Sequence, residues 1–481
     1  MRNFELDPKG AAFVAGAAIF AVTCGVAAAD APLVAVGLAG LIVWLVIPAL
    51  PLAMVLWIAL SLRILFDAQG ATSQGSGPVA AAIGVGLILL TIRLLIQRTR
   101  LPSSVWIVGA GISAWTVLAF VYQGFSLEAS GEGVRELSVV AAFAMGFILA
   151  TSGRISGSNL LQYVVVLTLI PAMFAIIQFA SGTGLLVAGA VRSNSFFVHP
   201  NSAAPFFAVG LCAAIVLADM RKDARSWITA SICGVALLTT GSLAGVAAGI
   251  AGLVCYAFVR PGRVGAKVVM GLLAFLATGA FAVSPIGRER IASQARFDPS
   301  LYASQAATDG ADSSLGWRLY NWYDYLQLWR EQPIFGFGLG RTSAGDSATG
   351  TLPHNEYVRY LVETGLVGLV LLLAGVGLVL RALRKIRLTV PSPDLRFTAA
   401  AATCCVAAFM ANGLAANTLM YSSASYSFAV ILGGTFGLAH YTRSPTDLVV
   451  GHDTRDPVRH HVPAATVRDR ARWSPDNRLA R

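Results

Sequence analysis

The chain has 481 residues, of which 56% are hydrophobic and only 12% are charged, and its formal net charge is +11. A soluble domain usually carries roughly 25% charged residues, so this chain has too few charges to cover a soluble protein of its size. Its apolar residues come in long runs, and about 18 consecutive apolar residues are enough to cross a bilayer. The composition therefore excludes a soluble globular protein and indicates an all-α polytopic membrane protein.

Hydropathy divides the chain into about 12–14 predicted transmembrane helices. They lie at residues 11–29, 32–48, 50–66, 78–97, 104–122, 133–150, 159–181, 202–219, 226–242, 243–259, 265–284, 356–380, 397–417 and 424–441. The number is open because the pairs 32–66 and 226–259 are each either two short helices or one long bent helix. Pro48 and Pro51 in the first pair, and the stretch 239–242 in the second, are typical of helix ends.

The positively charged residues predict the orientation of these helices. Lysine and arginine cluster in alternate connections, which are usually cytoplasmic. The residues concerned are Arg2, Lys9, Arg98, Arg100, Arg154, Arg221, Lys222, Arg225, Arg260, Arg263, Lys267, Arg381, Arg384, Lys385 and Arg387. Both termini are therefore predicted to be cytoplasmic, in a multi-pass protein of the cytoplasmic (inner) membrane. Since most of the positive charge serves topology, it does not predict binding to nucleic acid.

Three regions are expected along the chain. Residues 1–159 form N-terminal transmembrane helices, residues 160–441 form a second membrane domain that includes a large outer loop at 285–355, and residues 442–481 form a disordered cytoplasmic tail. The arginines of the tail are either solvated or in contact with anionic lipid head groups. The six cysteines all lie in apolar runs, without a C-x-x-C pair, and they predict neither disulfides nor a metal site. No cofactor is predicted.

Two predicted outer loops are long enough to hold a functional site, at about residues 182–201 and 285–355. The second contains an aromatic stretch, residues 317–329, in which tyrosine and tryptophan recur at helical spacing. Such a helix either anchors the loop at the membrane interface or stacks on sugar rings. The spacing alone does not distinguish these two roles.

Few ionisable side chains face outward in this topology. His199 and His354 are the outward-facing histidines, and histidine readily accepts and returns a proton near neutral pH. The alternative for a lone histidine at a helix start is a capping or interface role. The outer basic residues are all arginines, whose guanidinium binds phosphate through two parallel hydrogen bonds. They are Arg63, Arg192, Arg288, Arg290, Arg296, Arg318, Arg330 and Arg341. Arg359 and Glu363 are four residues apart and are expected to pair on one helix face.

One motif around His354 resembles a known signature. His354-Asn355 is followed after nine residues by Gly365, and after two more by Gly368. This pattern resembles the histidine signature of the bacterial O-antigen ligase and polysaccharide polymerase superfamily. The order of a long outer loop followed by three closing spans is also similar to that family.

Two further stretches are similar to the same family, and the resemblance covers roughly residues 160–440. Arg192, followed by Pro200-Asn201 at the next helix start, resembles the outer-loop arginine of the family. The stretch from Arg318 to Gly338 resembles its aromatic helix and Pro-x-x-Gly-x-Gly approach to the histidine. The family often has a Ser-Arg-Gly-like turn ahead of the large loop, but here residues 240–245 contain no arginine, and no phosphate-binding role is predicted there.

The resemblance implies a metal-independent, inverting glycosyltransferase of O-antigen, lipopolysaccharide or exopolysaccharide biosynthesis. An undecaprenyl-pyrophosphate-linked oligosaccharide is the implied donor on the outer face of the membrane, and a hydroxyl group of a glycan, lipid A–core or a protein is the acceptor. His354 then takes the acceptor proton or orients the hydroxyl, while Arg192 and Arg318 stabilise charge on the leaving pyrophosphate. The other predicted substrate-binding residues are Asn355, Asn201, His199, Arg288 and Arg341.

The sequence leaves several functions open. Within the enzyme class, it does not distinguish a polymerase from a ligase or a protein O-glycosyltransferase. A polysaccharide flippase or secondary transporter is the alternative class, and transporters often show inverted repeats and charges near the bilayer midplane. No convincing internal repeat is found here, and the ionisable residues cluster at span ends and in the outer loops, which favours interfacial chemistry. A non-catalytic assembly partner is a third interpretation.

Overall fold

The structure is a computed structural model that describes part of the chain. The described residues are 50–67, 78–96, 101–124, 126–153, 155–187, 190–260, 279, 282–283, 287–288, 291–292, 314–344 and 352–442. The predicted spans 11–29 and 32–48, most of the span 265–284 and the tail after Thr442 lie outside these residues.

Twelve α-helices and one short β-hairpin are found in the described residues. The helices are α1 (Leu52–Leu65), α2 (Pro78–Ile96), α3 (Ser103–Gln123), α4 (Leu127–Thr151), α5 (Gly157–Ser181), α6 (Pro200–Arg221), α7 (Ala224–Thr239), α8 (Leu243–Val259), α9 (Ser314–Trp329), α10 (Glu356–Thr389), α11 (Pro393–Gly413) and α12 (Ser422–Tyr441). The antiparallel hairpin joins β1 (Leu185–Val187) to β2 (Ala190–Arg192). Helices α3 to α6, α10 and α11 are long and apolar enough to cross a membrane, and α1, α2, α7 and α8 are shorter apolar helices. The predicted all-α polytopic membrane fold is confirmed.

The predicted pair at 226–259 consists of two helices, α7 and α8. The chain reverses at Gly241, which has a positive φ of 57°, and the Ser242 side chain accepts a hydrogen bond from the Gly245 amide to start α8. A serine side chain at this position satisfies one of the amides that the first helical turn leaves without an intrahelical partner. The turn therefore ends one helix and begins the next within a few residues.

Two helices are longer than their predicted spans. Helix α4 starts at Leu127 rather than at 133, and α10 continues to Thr389 rather than to 380. Hydropathy stops at charged residues, but a helix continues through them where they find partners. Helix α4 contains Glu132 and Glu136, which pair with Arg359 of α10.

The core of the bundle is built on small residues. Helices α4 and α12 approach closely because Gly146 faces the Val430 backbone and Gly433 faces the Phe143 backbone. Helix α6 is buried along almost its whole length, so it lies at the centre of the packed helices. The five cysteines of the described residues carry free thiols, as expected for small apolar side chains.

The helix ends form two groups, and these define the two ends of the bundle. Helix α6 begins beside His199 and reaches Asp219 after 20 residues, which is about 30 Å along the axis. Asp219 is buried and pairs with Arg260, with Lys222 Nζ at 3.0 Å and with the Tyr256 hydroxyl at 2.6 Å. We call these four residues the Asp219 cluster.

Other contacts bring the predicted cytoplasmic connections to the same end as the Asp219 cluster. Arg387 donates to the Val259 carbonyl oxygen at 3.1 Å, and Arg221 donates to Gln162 at 2.6 Å. The Gly157 amide donates to Asp394 at 2.6 Å. The described connections around Gly157, Arg221, Arg260 and Arg387 are thus together in space, and His199 lies at the opposite end of α6.

Candidate active site

His354 lies in a tight turn directly before α10. Its backbone has a positive φ of 49°, which is uncommon for a residue with a side chain. Asn355 stabilises this turn by accepting hydrogen bonds from the Tyr357 and Val358 amides, at 2.9 and 3.1 Å. Its own side-chain amide donates to the Leu414 carbonyl oxygen at 3.1 Å. Asn355, predicted to bind substrate, is therefore the N-cap of α10 and fixes the position of His354.

The surroundings of His354 keep its imidazole neutral. Its Nδ1 atom is buried and has no hydrogen-bond partner among the described residues, and the Trp317 ring lies edge-on with centroids 5.3 Å apart. Burial, and after it the charges of Arg318 and His199, together lower the pKa of His354 to about 4. The structure therefore brings together His354, Arg318 and His199, which the sequence separates by up to 155 positions.

His199 is the N-cap of α6, the role given above as the alternative to proton transfer. Its Nδ1 accepts a hydrogen bond from the Asn201 amide at 3.1 Å, and its own amide donates to the Ser202 hydroxyl at 3.3 Å. An Nδ1 that accepts a bond from an amide carries no proton, so a neutral ring carries its proton on Nε2. The ring is thus held in one orientation by the first turn of α6.

Arg192 is connected to the same helix start. It ends the β-hairpin, is 1% exposed, and donates to the Thr240 carbonyl oxygen at 2.7 Å and to Asn201 Oδ1 at 2.9 Å. A buried guanidinium needs such acceptors. Arg192 therefore joins the hairpin, the start of α6 and the α7–α8 turn, which is the turn that lacks an arginine of its own.

Helix α9 places Arg318 by packing on the chain that leads to His354. Asn321 donates to the Leu352 carbonyl oxygen and Trp322 Nε1 to the Pro353 carbonyl oxygen, each at 2.7 Å. The buried Tyr325 donates its hydroxyl proton to the Thr342 carbonyl oxygen at 3.1 Å. Part of the aromatic face is thus used inside the protein, while Tyr323 remains exposed.

The two glycine-containing motifs fit into each other. Helix α10 is broken at Gly365, which has φ 65° and ψ −170°, a conformation essentially restricted to glycine. The chain at 333–338 fills the break: the Leu366 amide donates to the Pro333 carbonyl oxygen at 2.9 Å, and the Gly338 amide donates to the Glu363 carbonyl oxygen at 2.8 Å. A Cβ atom at Gly365 would overlap the Ile334 carbonyl oxygen. The predicted continuous span is therefore interrupted, and its motif glycine is required by backbone contact.

Arg341 and Arg288 lie in other segments. Arg341 begins a short 3₁₀ segment, Arg341–Ala344, and its Cζ atom lies 5.3 Å from the centre of the Phe337 ring. Arg288 is exposed in a short described fragment, residues 287–288. Their roles in substrate binding stay predictions.

A buried ion-pair network beside His354 was only partly predicted. Arg359 is 0% exposed and pairs with four carboxylates, which lie 2.6–3.2 Å from its nitrogen atoms; they belong to Glu132, Glu136, Glu356 and Glu363. We call these five residues the carboxylate cluster. The pairing of Arg359 with Glu363 is confirmed, but the two glutamates of α4 lie more than 220 positions away in the sequence, and no local pattern connects them to Arg359.

Tyr421 and Asp67 also lie near the site and were missed. Burial raises the pKa of Tyr421 to about 12, and the charges of Arg318, Glu356 and Asp67 act on the same hydroxyl. Asp67 follows α1 and accepts hydrogen bonds from the Ser423 hydroxyl at 3.1 Å and from the Val198 amide. The N-terminal helices, which the family resemblance does not cover, thus reach the residue next to His199.

The comparison with known protein families bears on this arrangement directly. Residues 228–373 match the family model described as O-antigen ligase. The resemblance to the O-antigen ligase and polysaccharide polymerase superfamily is confirmed. The matched segment contains Arg318, His354 and the broken part of α10, whereas Arg192, His199 and the glutamates of α4 lie before it. No curated protein sequence matches the chain significantly.

Proposed function

We propose that the chain is a membrane glycosyltransferase of the O-antigen ligase and polymerase type. It takes a glycan from undecaprenyl pyrophosphate at the outer face of the cytoplasmic membrane and transfers it to a hydroxyl group with inversion at the anomeric carbon. The observation that carries this proposal is the neutral His354, whose Nδ1 atom is buried, beside Arg318 and His199, at a helix start within the segment that matches the O-antigen ligase model.

The proposed reaction uses these groups in a single displacement. The acceptor hydroxyl oxygen bonds to the anomeric carbon as the bond from that carbon to the phosphate oxygen breaks, and the electron pair stays on the lipid pyrophosphate. The hydroxyl proton goes to the free ring nitrogen of His354. Arg318 stabilises the added negative charge on the pyrophosphate, because fixed positive groups act most strongly where water is excluded. Arg192 supports the α6 start from its buried position.

The lipid-linked pyrophosphate donor has a second role, because its negative charge raises the low pKa of His354 when it binds. In the free protein the imidazole is neutral and can accept a hydrogen bond, but a conjugate acid with a pKa of about 4 holds a proton poorly at neutral pH. A bound pyrophosphate carries negative charge next to Arg318, and a nearby negative charge raises the pKa of a histidine. Donor binding therefore makes His354 a better base in the complex than in the free protein.

The orientation of the site supports transfer on the outer face. The Asp219 cluster and the basic connections lie together at one end of the bundle, and positive residues mark the cytoplasmic side. His199 lies at the other end of α6, about 30 Å away. A lipid-linked pyrophosphate at the outer head-group level would therefore meet the histidine end.

The direct test is transfer by the purified protein in lipid nanodiscs. Incubation with an undecaprenyl-pyrophosphate-linked oligosaccharide and candidate acceptors should give products that mass spectrometry resolves. A ladder of repeats identifies a polymerase, and transfer to lipid A–core or to a peptide identifies a ligase or a protein glycosyltransferase. We expect the rate to be unchanged by EDTA, and strict dependence on added Mg²⁺ or Mn²⁺ would contradict the proposed mechanism.

A further inference from the structure

The carboxylate cluster carries more negative than positive charge. Its four glutamates are at most 8% exposed, and among the described residues the guanidinium groups that pair with them are those of Arg359 and of Arg135, which lies 2.7 Å from Glu132. Formally, two negative charges remain in excess. Removing charges from water is costly, and a buried ion pair is weak evidence for stability by itself. The cluster therefore calls for an explanation other than stability.

The cluster holds the segments that surround His354. Glu356, two residues after His354, accepts a hydrogen bond from the Leu419 amide at 2.8 Å. Glu363 accepts bonds from the hydroxyl and the amide of Thr342, at 2.6 and 3.2 Å. Through these bonds, Arg359 links the His354 turn to the 3₁₀ segment Arg341–Ala344 and to the chain that leads to Tyr421.

The same network fixes the Asn355 cap from a second direction. The Asn355 amide donates to Asn417 Oδ1 at 3.1 Å, so the 417–421 turn contacts both residues that follow His354. Tyr360 donates its hydroxyl proton to Glu136 at 3.3 Å, and the Arg359 guanidinium lies 4.9 Å from the centre of the Tyr360 ring. Each side of the first helical turn of α10 is therefore attached to a neighbouring segment.

We propose that Arg359 is a positioning residue of the glycosyl-transfer site, which holds His354 in register with the α9 arginine and the 417–421 turn. Its planar guanidinium provides five donors in fixed directions, and a lysine ammonium cannot reproduce this geometry. The inference rests on the proposed function, because it assigns Arg359 a role in the same site. It adds helix α4, which lies outside the matched family segment, to the elements that build that site.

The variant that tests the proposal is Arg359→Lys, with Arg260→Lys as its matched control. Arg260 is half-buried and also binds a buried carboxylate through two nitrogen atoms, with Nε 2.5 Å from Asp219, but it lies at the opposite end of the bundle. Both variants keep the positive charge and lose the planar guanidinium with its donors in fixed directions. A purely structural role predicts losses of thermal stability and of folded fraction, with the same kcat per folded protein in both variants.

The measurement is kcat and KM for the lipid-linked donor, per folded protein, well below the lower melting temperature. We expect Arg359→Lys to lower kcat about 10- to 100-fold, the cost of a small misplacement of catalytic groups, with KM changed by less than about twofold because the arginines at the donor stay in place. Arg260→Lys should keep the wild-type kcat. Equal kcat values in the two variants would overturn the positioning role.

A second measurement separates this proposal from the proposed function. In the full-length protein with isotope-labelled histidine, the resonance of His354 is assigned by its loss in His354→Gln and is titrated by NMR. If Arg359 positions His354, the His354 pKa rises from its low value towards that of a free histidine in Arg359→Lys and stays unchanged in Arg260→Lys. An unchanged titration in Arg359→Lys overturns the proposal even if transfer is found, whereas absence of transfer in the wild-type protein contradicts only the proposed function.

Discussion

The carboxylate cluster and the Asp219 cluster are both ion-pair networks built on buried carboxylates, yet their net charges are opposite. In the Asp219 cluster one carboxylate meets two cationic groups and a tyrosine hydroxyl. In the carboxylate cluster four carboxylates surround Arg359, with Arg135 as a second cation. The first has a positive excess beside the basic loops, and the second has a negative excess beside His354.

This difference separates a topological role from a functional one. Positive charge at the ends of α6 and α8 follows the rule that cytoplasmic connections are rich in arginine and lysine, so the Asp219 cluster needs no further explanation. The same rule does not predict four buried glutamates at the other end. Their hydrogen bonds to Thr342 and Leu419 show that the carboxylate cluster connects the segments around the candidate active site.

The largest expected effect is the loss of protein stability when the arginine of each cluster, Arg359 or Arg260, is replaced by alanine. Arg359→Ala leaves four buried carboxylates with one remaining cation and should cost about 3–5 kcal/mol. Arg260→Ala should cost less, about 1–3 kcal/mol, because Lys222 and Tyr256 still bind Asp219. Thermal unfolding in detergent measures both, and equal destabilisation would show that the two networks are equivalent.

The backbone break beside the carboxylate cluster gives the next largest effect. Gly365→Ala places a side chain in a glycine-only conformation and against the Ile334 carbonyl oxygen, at a cost of about 2–4 kcal/mol. Gly375→Ala, in the same helix, meets no atom within 4 Å and should be neutral or stabilising by about 0.5–1 kcal/mol. Only the melting temperature of Gly365→Ala should therefore fall, and a normal melting temperature for that variant would contradict the broken geometry.

Removal of one hydrogen bond from each cluster sharpens the comparison. Thr342→Val removes the hydroxyl bond to Glu363, and Tyr256→Phe removes the hydroxyl bond to Asp219; both bonds are 2.6 Å long. Each change should cost about 1.5–3 kcal/mol, as for hydrogen bonds to charged groups. Only Thr342→Val should also lower the rate of glycan transfer, by a few-fold. A loss of rate in Tyr256→Phe, with Thr342→Val fully active, would reverse the assignment of roles.

The smallest expected effect is the response of kcat/KM to acid. His354 has a pKa of about 4 in the free protein, lowered mainly by burial, so its neutral, proton-accepting form persists as the pH falls and is lost only near pH 4. Because kcat/KM reports the free enzyme, it should change by less than about twofold between pH 7 and pH 5. A histidine with an ordinary pKa would give a fall of roughly 30-fold over the same range. A fall of kcat/KM of that size in the wild-type protein, absent in His354→Gln, would contradict the lowered pKa of His354.

The sequence predicts the helical frame well because hydropathy is a local property. Helix α3 spans Ser103–Gln123 where residues 104–122 were predicted, and α12 spans Ser422–Tyr441 where 424–441 were predicted. The motif around His354 also identifies the site segment that the O-antigen ligase model matches. The family resemblance is what selects His354. Hydropathy and topology alone leave His199 and His354 as two equal candidates.

The parts that the sequence does not predict depend on backbone conformation and on distant partners. The break at Gly365 is invisible to hydropathy, since residues 356–380 average out as one apolar span. Glu132 lies just outside the predicted span because charged residues end a hydropathy window, and its partner Arg359 is 227 positions away. The spacing of Gly365 from the Pro-x-x-Gly-x-Gly stretch contains no signal that the two interlock.

The central claim is that His354 accepts the proton of the acceptor hydroxyl in glycan transfer, and one comparison tests it most directly. Single-turnover transfer from an undecaprenyl-pyrophosphate-linked oligosaccharide is measured for wild-type protein, His354→Gln and His440→Gln. His440 lies in the last turn of α12, with its ring tilted against the Phe147 ring and the centroids 5.8 Å apart, so it is a histidine outside the site. We predict a rate lower by about 10²–10⁴-fold in His354→Gln and a normal rate in His440→Gln. Full activity of His354→Gln would contradict the account.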